Sequence, residues 1–410
     1  MNRRLLLLSY AFPPASLPEA FLSAKRLGSV PGLDVDVIAL APEADIRVDT
    51  SLDDYVAARF RRVERLRPPA LLRRFAGGKI SAVVQVPGFF HVVNSIALRK
   101  ALRMQAERYD AIMTWSQWHS VHLVGLALKQ RFPRLPWLAH FSDPWVDNPL
   151  IGYGPLRRAY ERRLERKVYA AADVLTLTSP ETMALVFTGP RARYRDRVAE
   201  MPHVFDRELY PTPLPPRMGK LLFRSLGAFY GARSPEPLFQ ALALLRQHQP
   251  TAFERMEVEL IGSVPQHFLQ STVLQSLPAG SVRVLPPVDY HASLALMQSA
   301  DALLNIDAPL ALSPFLPSKL VDYIGAGRPI FGITPPGAAA RVIAELGGWI
   351  APPDRPDAIA SVLAEALPAI EAARGKTWGA PDIRNRYSSV TAGPQLGEAI
   401  ERAITRAQAA

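Results

Sequence analysis

Cysteine is absent from the 410 residues of this chain. Disulfide bonds, thiolate metal sites and cysteine nucleophiles are therefore excluded, and nothing in the redox chemistry indicates secretion. Long hydrophobic runs are also lacking, because a bilayer span needs about 20 apolar residues and the nearest stretch, 80–98, contains Gln85 and Pro87. The leucines at 5–8 are followed by Pro13 without a small-residue cleavage site, which predicts a buried first strand rather than a signal peptide. We expect a cytoplasmic protein.

Acidic residues are in deficit, because 37 Asp and Glu stand against 48 Lys and Arg, for a net charge of +11. The excess is mostly arginine and favours anionic partners such as phosphates, nucleic acid or an acidic membrane face. With 49% hydrophobic and 21% charged residues, the composition is otherwise that of a globular protein. The length allows two or three domains.

Motifs that define several large enzyme classes are incomplete. The nearest match to the dinucleotide-binding G-x-G-x-x-G has Ile330 at the third glycine, and the segment at Gly375 lacks the earlier glycine of a P-loop. H-E-x-x-H and G-x-S-x-G are absent, which disfavours NAD enzymes, P-loop NTPases and common hydrolases. A D-x-D pair at Asp34 and Asp36 begins a strand pattern. We interpret it as a solvated strand entry rather than a site for a metal-bound nucleotide sugar.

Short segments rich in Val, Ile and Leu alternate with helical patterns, which is typical of parallel sheets covered by helices on both faces. The predicted strands are Arg4–Ala11, Val35–Leu40, Ala111–Trp115, Trp137–Phe141, Val174–Thr178, Leu221–Gly227, Val258–Gly262, Val282–Leu285, Ala302–Ile306 and Pro329–Ile333. The predicted helices include Leu156–Ala171, Pro235–Gln247 and Pro356–Arg374. We therefore predict an α/β fold of two doubly wound, Rossmann-like domains whose carboxyl sheet edges face a central cleft.

A proline-rich segment at 209–216 separates the two series of strands and indicates a semi-rigid connector. We assign residues 1–207 to an N-terminal domain and residues 217–380 to a C-terminal domain. Residues 381–410 are predicted to form a terminal helix that packs back on the N-terminal domain.

The most informative segment, SPFLPSKLVDYIGAGRP at 313–329, predicts a short helix at the carboxyl edge of a sheet. Lys319 falls in or beside its first turn, where the helix dipole is positive and a lysine is unfavourable unless an anion lies nearby. A diphosphate over that terminus would be bound by free amides and the ammonium together. Asp322, on the same helix face, is predicted to accept hydrogen bonds from ribose hydroxyls. The alternative is an exposed Lys–Asp surface pair.

The stretch from Pro317 to Ile330 resembles the nucleotide-binding signature of glycosyltransferase family 4. These are retaining enzymes of GT-B fold, and the likeness is to a bacterial polysaccharide and cell-envelope branch that reads P-S-K-L-x-E-Y. Further similar segments are Leu226–Arg233, Ala300–Leu304, His203–Asp206, Ala172–Ser179 and Phe141–Trp145. The C-terminal likeness covers about residues 200–365, and the N-terminal one is looser.

The resemblance implies a set of binding residues for a nucleotide diphosphate sugar. They are Gly227, Arg233, Ser318, Lys319, Leu320 and Asp322. Arg233 is expected to reach the diphosphate together with Lys319, because two cations over a helix N-terminus stabilise the charge on the leaving group. The resemblance further implies a UDP- or GDP-linked substrate, no additional cofactor and no obligatory metal.

Two departures from the family pattern concern the site itself. The family's paired glutamates fall on Pro314 and Asp322, so the first carboxylate is missing and backbone groups or a neighbour such as Asp307 would have to replace it. The glycine-rich loop after the first strand reads F-P-P-A-S-L-P here. The amides of Ala15 and Ser16 are predicted to face the cleft from this loop.

His140 and Asp143 are the candidate catalytic residues. They lie three residues apart at the carboxyl end of a predicted strand, where they would orient the acceptor hydroxyl or stabilise positive charge on the sugar. A buried core histidine and a helix-capping aspartate are the alternative interpretation.

Two basic segments predict contact with an anionic membrane. Residues 59–75 interleave arginine with apolar side chains and precede the apolar run 80–93, and arginines recur along the predicted helix Leu156–Ala171. Such segments bind an anionic bilayer electrostatically. The alternative is a solvated helix face in which Glu161 and Glu165 pair with the arginines.

Together these features predict a retaining glycosyltransferase of hexosyltransferase type. The C-terminal domain would bind the nucleotide sugar, and the N-terminal domain would hold a glycan acceptor, lipid-linked in the leading hypothesis. We place the protein in bacterial polysaccharide or cell-envelope synthesis, peripheral at the inner face of the plasma membrane. Two alternatives are a GT-B sugar-nucleotide epimerase and a non-catalytic binder of anionic surfaces or nucleic acid. The lack of helix-turn-helix, RRM or zinc-finger spacing counts against nucleic acid.

Overall fold

A computed structural model describes residues 2–42, 46–68, 88–213, 215 and 217–409. The chain divides into two compact units. Unit 1 comprises Met1–His203 and Ser389–Ala410, and unit 2 comprises Val204–Ser388. Arg73, Arg74 and the run 80–87, on which part of the membrane prediction depends, lie outside the described residues.

Unit 1 is built on one parallel sheet. Its strands are β1 (Arg3–Ser9), β2 (Leu33–Leu40), β3 (Arg62–Leu66), β4 (Ala111–Ser116), β5 (Trp137–Phe141), β6 (Val174–Leu177) and β7 (Val198–Glu200). They lie in the order β3-β2-β1-β4-β5-β6-β7, and each neighbouring pair is parallel. The strand order reverses between β1 and β4, and ligands of doubly wound sheets bind at the carboxyl ends of the strands beside such a reversal.

Helices cover both faces of this sheet. Those of unit 1 are α1 (Pro18–Gly28), α2 (Asp53–Arg59), α3 (Gly88–Arg103), α4 (His122–Arg131), α5 (Pro155–Ala171) and α6 (Pro180–Val186), together with the C-terminal helix Ser389–Ala409. The C-terminal helix packs against α1 and β5. Burial on both faces explains why β1 is a continuous run of leucines rather than an alternating pattern.

Unit 2 repeats the same plan. Its strands are β8 (Leu221–Leu226), β9 (Met256–Ile261), β10 (Val282–Leu285), β11 (Ala302–Ile306), β12 (Ile330–Ile333) and β13 (Trp349–Ala351), in the order β10-β9-β8-β11-β12-β13. Its helices are α7 (Glu236–His248), α8 (Pro250–Glu254), α9 (Gln266–Leu269), α10 (Thr272–Ser276), α11 (Tyr290–Gln298), α12 (Ser318–Ala326), α13 (Ala338–Glu345), α14 (Pro356–Ala372) and α15 (Pro381–Arg386). The reversal of strand order falls between β8 and β11.

The predicted α/β class with two doubly wound sheets is confirmed, and each predicted strand lies within two residues of an observed one. The sequence analysis missed β3, β7 and β13. All three are edge strands of three to five residues, and two of them carry charged side chains. A short strand with an open edge needs few apolar residues, so its sequence pattern is weak.

The two aspartates of the D-x-D pair are not both solvated, which corrects our interpretation. Asp36 is buried within β2, where it forms an ion pair with Arg61 and accepts a hydrogen bond from Tyr109. Asn2 donates to Asp34 over 2.9 Å. Both carboxylates therefore have structural partners inside unit 1.

Ion pairs engage part of the arginine-rich face of α5. Arg162 lies 2.8 Å from Glu165 and Arg157 lies 3.7 Å from Glu161, so the pairing named in the alternative is present. Both glutamates are buried, however, so this part of the face is not solvated. Arg163 is exposed. No helix within the described ranges is long and apolar enough to cross a membrane.

Candidate active site

Two glycines shape the carboxyl edge of the sheet in unit 2. Gly227 follows β8 with φ +133°, and Gly262 follows β9 with φ +140°. A Cβ atom on Gly262 would lie 1.9 Å from the Gly227 carbonyl oxygen, so only glycine permits these two backbones to touch. A Cβ on Gly227 would lie 4.0 Å from Lys319 Cγ, which places this loop beside the start of α12.

Helix α12 begins at Ser318, so Lys319 does lie in the first turn. No side chain caps this N-terminus. The first backbone N–H groups of a helix have no acceptor within the helix, so they can donate to a ligand. The Leu320 amide donates to the Pro317 carbonyl over 3.1 Å, and the Leu320 side chain is buried. The Lys319 ammonium lies 5.7 Å from the centre of the Tyr290 ring.

Arg233 is held by a carboxylate in the same region. Its Nη2 lies 3.3 Å from Asp307 Oδ1, just after β11. Asp307 Oδ2 accepts hydrogen bonds from Asn305 over 2.6 Å and from Thr334 over 2.8 Å. Burial raises the pKa of Asp307, and the charge of Arg233 opposes that shift. Asp307 thus fixes the guanidinium at the edge of the sheet. Pro314, the position of the family's first glutamate, is buried.

Asp322 lies deeper than predicted. Its side chain is 3% exposed, and its Oδ1 accepts a hydrogen bond from the Tyr290 hydroxyl over 2.9 Å. The Tyr210 hydroxyl donates to the Asp322 carbonyl over 2.7 Å. Tyr323, its neighbour in α12, accepts a hydrogen bond from the Leu226 amide over 2.8 Å. These contacts tie α12 to the end of β8 and to α11.

In unit 1, His140 is buried near the carboxyl end of β5 and stacks on Trp115, with ring centres 3.8 Å apart. Its Nδ1 lies 3.0 Å from Thr176 Oγ1, and its Nε2 lies 3.3 Å from Ser142 Oγ. Burial is the main cause that holds the pKa of His140 well below its usual range. The ring is therefore neutral, with both nitrogens occupied by protein groups.

Asp143 differs from His140, because its side chain is partly exposed and makes no hydrogen bond with any described residue. Burial raises the pKa of Asp143 to about 6. A second carboxyl group, Glu19 in the first turn of α1, lies in the same part of the sheet edge. Its Oε2 accepts hydrogen bonds from Trp115 Nε1 over 2.8 Å and from Ser142 Oγ over 2.6 Å.

The loop after β1 does not offer the two predicted amides to a ligand. The Ala15 amide donates to the Phe12 carbonyl over 3.2 Å, and the Ser16 amide donates to the Arg47 carbonyl over 2.8 Å. This corrects the expectation for the loop, because the peptide groups that a glycine-rich loop leaves open are paired here within the chain.

The predicted residues therefore fall into two groups. Gly227, Arg233, Ser318 and Lys319 share the carboxyl edge of the sheet in unit 2, while His140 and Asp143 share that of unit 1. The sequence analysis missed Tyr290, Tyr323 and Glu19. Tyr290 carried no signal, whereas Tyr323 occupies the final position of the P-S-K-L-x-E-Y pattern. Glu19 follows a proline, which is a weak indication of an acidic residue at a helix start. No group of three metal-ligating side chains occurs in the part of the chain that the structure describes.

Comparisons with known proteins agree with this architecture. Residues 29–202 match the family model of the glycosyl transferase 4-like domain. No protein of curated function matches the sequence significantly.

Solved structures cover nearly the whole chain. A sucrose-phosphate synthase from Thermosynechococcus elongatus is 18% identical, with a TM-score of 0.67 over 97% of this chain and 98% of that one. HepE from Anabaena, in complex with UDP-glucose, is 15% identical, with a TM-score of 0.65 over 97% and 99%. A trehalose-phosphate synthase from Burkholderia xenovorans, in complex with glucose-6-phosphate, is 12% identical, with a TM-score of 0.61 over 97% and 100%.

The two doubly wound units and these neighbours show the GT-B fold. The glycosyltransferase class is supported by the domain matched at residues 29–202. Residues 29–202, less than half of the chain, match the glycosyl transferase 4-like domain, and the stretch 317–330 is similar to the nucleotide-binding signature of family 4. Both findings support an assignment to glycosyltransferase family 4.

Proposed function

We propose that the chain transfers a hexose from a nucleotide diphosphate sugar, and that unit 2 binds the diphosphate at the N-terminus of α12. One observation carries the proposal: Lys319 in the first turn and the loop from Gly227 to Arg233 lie together at the carboxyl edge of the sheet. A lysine there opposes the helix dipole unless an anion is bound. Arg233 adds planar N–H donors suited to phosphate oxygens.

The proposed donor is UDP- or GDP-linked. The complexes of HepE with UDP and with UDP-glucose support a uridine nucleotide, because they share the fold of this chain over its length. Catalysis would follow from two cations that stabilise the charge on the leaving nucleoside diphosphate. Retention of the anomeric configuration and independence from a metal are proposed on the family signature.

We assign the acceptor to unit 1, at the edge where β4 and β5 end. Asp143 is the proposed group for the acceptor hydroxyl, since it is partly exposed and makes no hydrogen bond with the described residues. Its pKa near 6 leaves it ionised at neutral pH and able to accept a proton or hydrogen bond. His140 would not contact the acceptor. It would act through Ser142, the neighbour of Asp143, which its Nε2 contacts.

A panel of UDP-, GDP-, ADP- and TDP-sugars, with and without glycan acceptors, tests this function. Thermal shifts identify the nucleotide that stabilises the native protein. Mass spectrometry should then find free nucleoside diphosphate and a glycosylated acceptor only when both substrates are present, and NMR of the product gives the anomeric configuration. An isomerised sugar nucleotide without acceptor would indicate the epimerase alternative, and no product with any pair would indicate a binding protein.

We further propose a lipid-linked acceptor at the inner face of the plasma membrane, in polysaccharide or cell-envelope synthesis. The support is an exposed surface at the start of α5. Leu156 is 89% exposed and Tyr160 39%, and Arg163 and Lys167 follow at helical spacing on the same face. Apolar side chains beside cations suit an anionic lipid interface.

Co-sedimentation with vesicles of increasing anionic lipid content tests the membrane proposal. Wild-type protein should pellet at low salt and less so at 1 M salt, where screening shortens to about 3 Å. Replacement of Leu156, Tyr160, Arg163 and Lys167 by serine should abolish pelleting. Serine at the exposed Lys220 and Arg355 of unit 2 provides the control. A wild-type protein that stays in the supernatant at low salt would indicate a soluble acceptor instead.

A further inference from the structure

Glu19 in unit 1 is a buried carboxyl group that no sequence motif assigned. It lies in the first turn of α1, the helix that follows β1, and is 8% exposed. Both of its hydrogen bonds end on one atom: Trp115 Nε1 and Ser142 Oγ donate to Oε2 over 2.8 and 2.6 Å. Oε1 accepts no hydrogen bond from the described residues.

No cation pairs with Glu19 within the part of the chain that the structure describes. The charged group that acts on it is Asp143, which itself has no ion-pair partner there. When two carboxyl groups interact and neither has a counter-ion, ionisation of one raises the free energy of ionising the other, most of all for the one that is removed from water. Glu19 is the more enclosed of the two and is therefore the one expected to hold a proton. Burial raises the pKa of Glu19 to about 8, which agrees with this assignment.

Glu19 is connected to His140 on two sides. Trp115, which donates to Glu19, stacks on the imidazole. Ser142, which also donates to Glu19, contacts His140 Nε2, and its single proton is directed to Glu19 or to the Ser116 carbonyl, 2.9 Å away. His140 Nε2 must then carry the proton in its own bond to Ser142, and its Nδ1 accepts from Thr176. One carboxylic acid thus fixes the serine, the indole and the tautomer of the histidine.

We propose that Glu19 is a positioning residue of the acceptor site that works as a neutral acid, and that it leaves Asp143 as the single negative charge facing the acceptor hydroxyl. The inference rests on the proposed acceptor role of unit 1. Ionisation of Glu19 would place a second negative charge beside Asp143. It would also bind the Ser142 proton more tightly, so the arrangement around the acceptor would change.

Infrared difference spectroscopy tests the protonation without reference to activity. Spectra of wild type minus Glu19→Gln at pH 7 should show the carbonyl stretch of a neutral carboxylic acid, and the band should titrate away near pH 8. Glu398→Gln, an exposed glutamate in the C-terminal helix of the same unit, should show only an ionised carboxylate. A Glu19 difference spectrum with carboxylate bands alone at pH 7 would overturn the proposal.

Transfer kinetics test the positioning role. Wild-type kcat should fall above about pH 8 as Glu19 ionises, and this alkaline decrease should disappear in Glu19→Gln, whose amide oxygen still accepts from Trp115 and Ser142. Glu19→Ala should lower kcat on the order of 100-fold at pH 7, with calorimetric nucleotide affinity unchanged in both variants. An alkaline decrease that persists in Glu19→Gln, or equal loss in the two variants, contradicts the inference. A wild-type protein that transfers no sugar contradicts the proposed function instead. The infrared experiment still tests the protonation of Glu19 in that case, because it does not depend on activity.

Discussion

Arg233 Nη2 lies 3.3 Å from Asp307 Oδ1 at the carboxyl edge of the sheet in unit 2. Arg233 comes from the loop after β8 and Asp307 from the end of β11, so the pair joins the two strands at which the strand order reverses. The aspartate keeps two further hydrogen bonds, from Asn305 and Thr334, and is therefore a fixed anchor for a guanidinium that is 30% exposed.

Removal of Arg233 should leave the buried Asp307 carboxylate without its cation. Arg233→Ala is expected to destabilise unit 2 by on the order of 1–2 kcal/mol, and Asp307→Asn in the same protein should restore part of that loss, because an amide needs no counter-charge. A double-mutant cycle on urea unfolding measures the coupling. Additive effects of the two substitutions would contradict the ion pair.

Nucleoside diphosphate binding should depend on both cations of the proposed donor site. Lys319→Ala and Arg233→Ala are each expected to cost about 1.5–3 kcal/mol of binding free energy, the range for a hydrogen bond to a charged group. Isothermal titration with the best nucleotide of the panel measures it. Lys220→Ala and Arg355→Ala, exposed positions elsewhere in unit 2, are the matched controls. Unchanged affinity in both site variants would remove the diphosphate from this helix.

The predicted ribose contact of Asp322 can be separated from its structural role. Asp322→Asn keeps an oxygen for the Tyr290 hydroxyl, so the fold around α12 should persist. If the carboxylate also accepts from ribose, the variant should bind the ribonucleotide more weakly and the 2′,3′-dideoxy analogue with little change. Equal losses for the two ligands would show that Asp322 acts only through Tyr290.

The contact between the loops after β8 and β9 should tolerate no side chain. Gly262→Ala places a Cβ 1.9 Å from the Gly227 carbonyl oxygen and forces alanine to φ +140°, for an expected cost of about 3 kcal/mol or more and a loss of nucleotide binding. Gly280→Ala is the control, because its φ of +82° is also unfavourable but no atom lies within 4 Å of the added Cβ. It should cost only about 1 kcal/mol. Similar melting temperatures for the two variants would contradict the close approach.

Acid should destabilise the protein through its buried histidines. Burial lowers the pKa of His119 and of His203 to about 3, whereas the unfolded chain titrates near 6.5. The unfolded state therefore binds more protons between these values, and stability falls as pH decreases from about 6.5 towards 3, by up to about 1.4 kcal/mol per pH unit for each histidine. Glu19 acts in the opposite direction, since its raised pKa makes stability fall as pH rises from about 4 to 8.

Melting temperatures at pH 7, 6, 5 and 4 test the histidine effect. His119→Gln should decrease the fall in melting temperature below pH 6.5 by the share that one histidine contributes. This holds whatever the substitution does to the melting temperature at pH 7. His291→Gln, at an exposed position, should follow the wild-type curve. An unaltered pH dependence in His119→Gln would show that another group carries the proton uptake.

The sequence by itself determined the α/β class, the internal strands and the start of α12, because fully buried parallel strands need continuous apolar runs and because prolines and glycine mark the helix ends. It also placed Lys319 in the first turn, since that position depends on local spacing alone. Edge strands such as β3 form by backbone pairing with a neighbouring strand, and this pairing does not require a continuous apolar run in the sequence.

Only the tertiary structure decided what each polar side chain contacts. Asp322 and His140 were predicted to face ligands, yet both are buried, and Tyr290, Thr176 and Ser142 occupy their polar atoms. The partner of Arg233 follows 74 residues later, and Glu19 meets Ser142 123 residues away in sequence. Such pairs form because parallel strands bring their carboxyl ends to one edge, so the contacts depend on strand order, which local sequence does not encode.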